Sequence, residues 1–72
     1  MENKKIRIDE YKLQELEEEA KNALEIAVIA EEEQRWSDAI EYYQIVIQKN
    51  YEMGDIERSK AFEKKIEKLK QF

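Results

Sequence analysis

The chain contains no cysteine, no histidine, no proline and a single glycine in 72 residues. Without cysteine there is neither a disulfide framework nor a thiolate zinc site. Without histidine there is no imidazole ligand and no base for a Ser–His–Asp arrangement. Threonine is missing too, and Ser37 and Ser59 are the only serines. Neither serine has a base with an orienting partner, so no nucleophilic catalysis is expected and the chain reads as a non-enzyme. Carboxylate-bridged di-metal chemistry in a helix bundle needs inward Glu residues and usually Glu-x-x-His, which this sequence lacks. No cofactor is expected. No apolar run reaches the roughly 18 residues that a membrane-spanning helix needs. The polar start Met1-Glu2-Asn3-Lys4-Lys5 predicts no secretory leader and a cytoplasmic protein.

What is present is helix chemistry. Charged residues make up 43% of the chain and hydrophobic ones 42%, with Glu, Lys, Leu, Ile and Ala prominent. These are good helix formers, and the breakers are nearly absent. So short a chain is one domain at most. Eighteen acidic against thirteen basic residues give a net charge of −5. A duplex-binding protein or one attracted to anionic lipid is normally basic, so neither nucleic acid nor a membrane is the expected partner.

Residues 1–8 form a polar arm whose only apolar positions beyond Met1 are Ile6 and Ile8, leaving 9–72 as the domain. From Asp9 a helical period sets in. Leu13, Leu16, Ala20, Ala23, Ala27 and Ala30 fall in one narrow stripe, rich in Ala, where another helix can come close. This helix is expected over about 9–34. Ile26 and Ile29 project from the back of the stripe, so the helix is apolar on two sides. The run Glu33-Gln34-Arg35-Trp36-Ser37-Asp38 breaks the pattern. Ser37 is the expected cap of a second helix over 38–53, whose main face is Trp36, Ala39, Tyr43, Val46, Ile47 and Met53. Ile40, Tyr42 and Ile45 widen that face, which makes this the central helix. Gly54 can take the left-handed conformation that ends a helix, and Asp55 can cap a third helix over 56–71 with the stripe Ser59, Phe62, Ile66 and Leu69. The expected fold is all-α, a three-helix antiparallel bundle running up-down-up. Residues 9–34 carry ten acids and two bases, net −8, whereas 55–72 carry four acids and six bases, net +2. The first and third helices should therefore attract, within one chain or between stacked copies.

The segment Ala27-x-x-Ala30 followed by Arg35-Trp36-Ser37-Asp38-Ala39-Ile40-x-x-Tyr43-x-x-Val46-Ile47 resembles the helix-turn-helix of a tetratricopeptide repeat. In that family a small residue on the first helix meets an aromatic and an Ala on the second. Met53-Gly54-Asp55 resembles the join to a following repeat, and Ala61 lies near that repeat's expected small residue. Gln34 departs from the pattern, since the family often has Gly there. The resemblance covers about residues 20–72 and implies a protein-interaction unit whose groove would lie along the first and third helices. The microtubule-interacting-and-trafficking domain is similar as well. Its second helix carries the same aromatic-x-x-Ala-Ile run, and Phe62-Glu63-Lys64-Lys65-Ile66-Glu67-Lys68-Leu69 looks like the end of its third. The span from Ala39 to Phe62 is more than two helical turns shorter than in those domains. That second resemblance implies tails of ESCRT filament subunits as partners.

The expected function is a non-catalytic adaptor that binds a peptide or helix of a partner protein. Ile26 and Ile29, rimmed by Glu25 and Glu33 (with Asn22 beside them), are the candidate contact. The trafficking-domain resemblance implies a different groove at Ile45, Lys49, Phe62 and Lys65. Self-association through the isoleucine patch, giving a homo-oligomer, is the structural alternative. Glu31-Glu32-Glu33 reads as a solvated acidic turn, because consecutive helical residues point in different directions and make a poor cation cage. These acids stand at the unfavourable end of the helix dipole, which a basic neighbour such as Arg35 would relieve. Trp36 and Tyr43 read as core rather than as a stacking platform for bases. The run Lys60, Lys64, Lys65, Lys68 and Lys70 reads as a solvated face, or alternatively as a site for an acidic peptide.

Overall fold

The structure is a computed structural model and describes residues 10–72, so the polar arm, Ile6, Ile8 and Asp9 lie outside the described residues. Small side chains at helical spacing dictate its layout. Leu16, Ala20, Ala23, Ala27 and Ala30 are the buried residues of α1 (Glu10–Glu32). The Ala-rich stripe lies against α2 (Trp36–Glu52), which in turn packs on α3 (Ile56–Leu69). The arrangement is the expected antiparallel, all-α, up-down-up one with α2 in the middle. The Cα traces of α1 and α3 stay more than 8 Å apart, so only side chains reach between them.

One core cluster, Ala27, Ala30, Ala39, Tyr43, Ile66 and Leu69, draws on all three helices. Ala27, Ala30 and Ala39 have no exposed surface at all, as the proposed close approach of the first two helices requires. On α3 the small residue is Ser59 rather than Ala61. Ser59 is fully buried and its hydroxyl donates to the Ile47 carbonyl across 3.1 Å, while Ala61 is exposed. Asn50, which the apolar pattern passes over, is equally deep, and its amide donates to the Val46 carbonyl at 3.0 Å.

The helix ends differ from the expected ones for a common reason. The N–H of Arg35 reaches back to the Ala30 carbonyl (2.8 Å) and that of Gln34 to Glu31 (2.9 Å), with Gln34 at φ +62°. This is a Schellman closure, and it stops α1 at Glu32, short of the expected Gln34. The closure recurs at the end of α2. There the N–H of Asp55 reaches Asn50 (2.8 Å), that of Gly54 reaches Tyr51 (2.9 Å), and Gly54 lies at φ +84°. The residues that follow match as well, Arg35 at φ −90°, ψ 79° and Asp55 at φ −93°, ψ 80°. The two connections are thus the same turn made from different residues.

Ser37 does not cap α2. The helix begins two residues earlier than expected, at Trp36, and Arg35 occupies the cap position with no side-chain cap bond. A guanidinium only donates, so it cannot accept from the first-turn N–H groups. It instead holds Glu33 Oε1 at 3.0 Å and Asp38 Oδ2 at 2.8 Å. Asp55 does cap α3, accepting from the Arg58 N–H at 3.1 Å. That helix closes at Leu69, before the expected Gln71. Trp36 is only partly buried; it packs against the core cluster and stacks on Phe72 at a centroid distance of 4.3 Å.

Candidate protein-binding surfaces

At about 100° per residue, α1 divides into three faces. Its Ala stripe meets α2. The flank carrying Leu24 and Glu31 turns toward α3. The back carries Ile26 and Ile29, which keep 41% and 50% of their surface exposed. Asn22, Glu25 and Glu33 beside them are exposed too. The isoleucine patch is therefore open on the described residues, with carboxylates around it.

The alternative groove is not assembled. Phe62 stacks on Tyr43 at 5.7 Å, and the Lys65 ammonium pairs with Glu31 at 2.9 Å. Ile45 lies about 200° around α2 from Tyr43, nearly on the opposite face. Lys49 pairs with Glu19 of α1 at 3.0 Å. That hydrogen bond, against the cost of burial, holds the Lys49 ammonium above its usual pKa range. The four residues thus fall in two pairs, Phe62 and Lys65 at the Tyr43–Glu31 contact and Ile45 and Lys49 about 40° apart on another side of α2.

A cleft lies between α1 and α3, the two helices along which the tetratricopeptide resemblance implies a groove, although sequence reasoning assigned none of its lining residues to it. Because those helices stand apart over α2, they leave a cleft of about 400 Å³. Leu24, Val46, Met53 and Phe62 supply its apolar lining, and Glu17, Lys21 and Arg58 bring charges of both signs to it. Leu24 sits one step of 100° off the Ala stripe, and this was the only sequence signal available for that wall.

One end of this region is tied by Glu31. Its Oε1 accepts a 2.8 Å hydrogen bond from the Tyr43 hydroxyl, and its Oε2 meets Lys65 Nζ at 2.9 Å. Glu31 is therefore no solvated member of an acidic turn; it joins all three helices. Burial alone would raise its pKa, but the hydrogen bonds from Lys65 and Tyr43, with the lysine charge, outweigh that and hold it below the ordinary 4.5. Burial, followed by donation to the Glu31 carboxylate and that group's charge, pushes the Tyr43 hydroxyl well above the usual phenol range. Glu33, by contrast, is exposed and paired with Arg35, the neighbour expected to relieve it.

No helix among the described residues is long and apolar enough to cross a membrane. Compared with known protein families, curated proteins and solved structures, the chain matches none.

Proposed function

We infer that the chain is a non-catalytic protein-interaction module that receives an extended or helical segment of a partner protein in the cleft between α1 and α3. The observation that carries this reading is the separation of those two helices over an apolar floor. A closed bundle of the same three helices would have no such opening. The lining suits a segment with apolar side chains and charges of both signs, since Lys21 and Arg58 would meet a partner's acids and Glu17 its bases. The tetratricopeptide-like assignment belongs to the same proposal. It is supported by the pairing of Ala39 with Ala27 and Ala30, and by the left-handed Gln34 where that family often has Gly.

The test is selection of binders from a random peptide display library, followed by mapping on the isotope-labelled protein. Amide shifts should centre on Leu24, Val46, Met53 and Phe62. Lys21→Glu with Arg58→Glu, both at exposed positions, should discriminate against the selected acidic peptides while leaving the melting curve in place. Peptides that map elsewhere, or that ignore the charge reversal, would refute the cleft as the site.

A further inference from the structure

Two surfaces lie outside that cleft, and each has what the other lacks. The first is the back of α1, where Ile26 and Ile29 stand three residues apart on one face with Glu25 and Glu33 beside them. The second is a groove of about 650 Å³ along the seam of α2 and α3. Ile47 and Ile66 form its apolar floor, and Lys60, Lys64 and Lys70 stand along it. Glu63 and Glu67 share that lining, so the local excess of positive charge is small. The larger imbalance comes from the helices themselves, net −6 over Glu10–Glu32 (eight acids, two bases) against +2 over Ile56–Leu69 (five bases, three acids). Of those acids, Glu19 and Glu31 are already paired to Lys49 and Lys65.

From this we propose that the back of α1 in one copy seats in the α2–α3 groove of a second copy, so that the chain assembles head to tail. A helix laid into the seam between two others is a natural way to bury an exposed apolar stripe. Charge selects this occupant over the symmetric one. Glu33 is paired with Arg35, so Glu25 carries the difference. A two-fold pairing of α1 with α1 would set it against acids of the same rim, whereas the head-to-tail pairing sets it against a groove with three lysines and two glutamates. The contact is heterologous: a dimer keeps one donor and one acceptor face free, one on each copy, and growth continues past it. It is also weak. α3 has 14 residues and so is about 21 Å long, which limits the strip to a few hundred Å² per copy, below the ~800 Å² of a standard interface.

Sedimentation equilibrium between about 10 µM and 1 mM covers the range expected of such a contact. The average mass should rise beyond that of a dimer with concentration and fall with added salt. Ile26→Lys with Ile29→Lys removes the α1 face, and Lys60→Glu with Lys64→Glu reverses the groove. Each double variant alone should stay monomeric, its association weakened by at least about 100-fold for the isoleucine pair. Mixed together they should form a 1:1 complex that grows no further, because one retains the groove and the other the isoleucines. A parent that stays monomeric at 1 mM would overturn the proposal. So would a parent mass that levels at twice the monomer, or variants that do not complement. If the isoleucine variant unfolds, those residues belong to the fold and the proposal fails on that result. Peptide binding in the α1–α3 cleft should survive in both variants, so loss of assembly and loss of the cleft function are separately observable.

Discussion

Replacing Glu31 by Ala tests whether one carboxylate joins three helices. Two interactions are lost. The first is the 2.8 Å bond from Tyr43, a residue only 2% exposed. A hydrogen bond to a charged group contributes about 1.5–3 kcal/mol, and its loss leaves the hydroxyl without that acceptor. The second is the 2.9 Å pair with Lys65, whose side chain is 40% exposed. Solvent screening limits that pair to about 0.2–1 kcal/mol. The summed loss is about 2–4 kcal/mol, which for a domain of this size lowers the melting temperature by roughly 10 °C or more. Urea titration followed by far-ultraviolet circular dichroism measures it. A loss under about 0.5 kcal/mol, the level of an ordinary surface substitution, would refute the joint.

A double-mutant cycle separates the two interactions. Tyr43→Phe removes the stranded hydroxyl, so in the Glu31→Ala background it should cost less than it does in the parent. The pH dependence gives an independent check. Glu31 titrates below its ordinary value when folded, so the unfolded chain binds the proton more readily. Its contribution is therefore complete above about pH 4.5 and is lost as the pH falls through the folded value. Acidification also relaxes the repulsion among the other acids of α1, so the readout is the difference between parent and Glu31→Ala. That difference should narrow below about pH 4.5; a constant gap would refute the assignment.

Two further tests follow from the packing and the turns. Ala39→Leu should overpack the contact with Ala27 and Ala30 and cost about 1–3 kcal/mol; an unchanged melting temperature would refute the helix pairing. The matched turns call for opposite outcomes, since a left-handed conformation costs a non-Gly residue about 1–2 kcal/mol. Gln34→Gly should stabilise by about 0.5–1 kcal/mol after the added freedom of the unfolded chain is counted, and Gly54→Val should destabilise by at least ~1 kcal/mol. At Gly54 an added Cβ would meet nothing within 4 Å beyond its chain neighbours, so the penalty there comes from the positive φ. If both variants shift stability in the same direction, the equivalence of the turns is wrong.

The three helices were legible because burial on a helix repeats every three or four residues, and the stripes from Leu16 to Ala30 and from Ser59 to Leu69 announce it. Gly54 and Asp55 were legible because few other residues suit their conformations. Arg35 was not. An N-cap is read from side chains that can accept a hydrogen bond, so Ser37 drew the helix start two residues too late. The Schellman bonds that set the boundary are made by main chain and leave no mark on residue type. Asn50 escaped for a related reason: its amide satisfies the Val46 carbonyl, and a pattern of apolar letters cannot show a polar group that is satisfied from within its own helix.

Glu31 shows a deeper limit. Periodicity states which face of a helix a residue occupies, but not what stands opposite. Glu31 and Glu33 look alike in the acidic run, yet 200° of helical rotation separates them. One meets Tyr43 and Lys65 and the other meets Arg35 in solvent. The same rotation parts the other duties of α1. The Ala stripe closes on α2, the Leu24 and Glu31 flank borders the cleft, and the Ile26 and Ile29 back is left open. Substitutions on the three faces should therefore fail differently. Changes to the stripe or at Glu31 should lower stability, changes at the exposed cleft rim, such as Lys21, should alter peptide selectivity, and changes on the back should alter assembly. α1 carries a net −6 over Glu10–Glu32, from eight acids and two bases, and Lys49 of α2 and Lys65 of α3 each set a base against it, at Glu19 and Glu31.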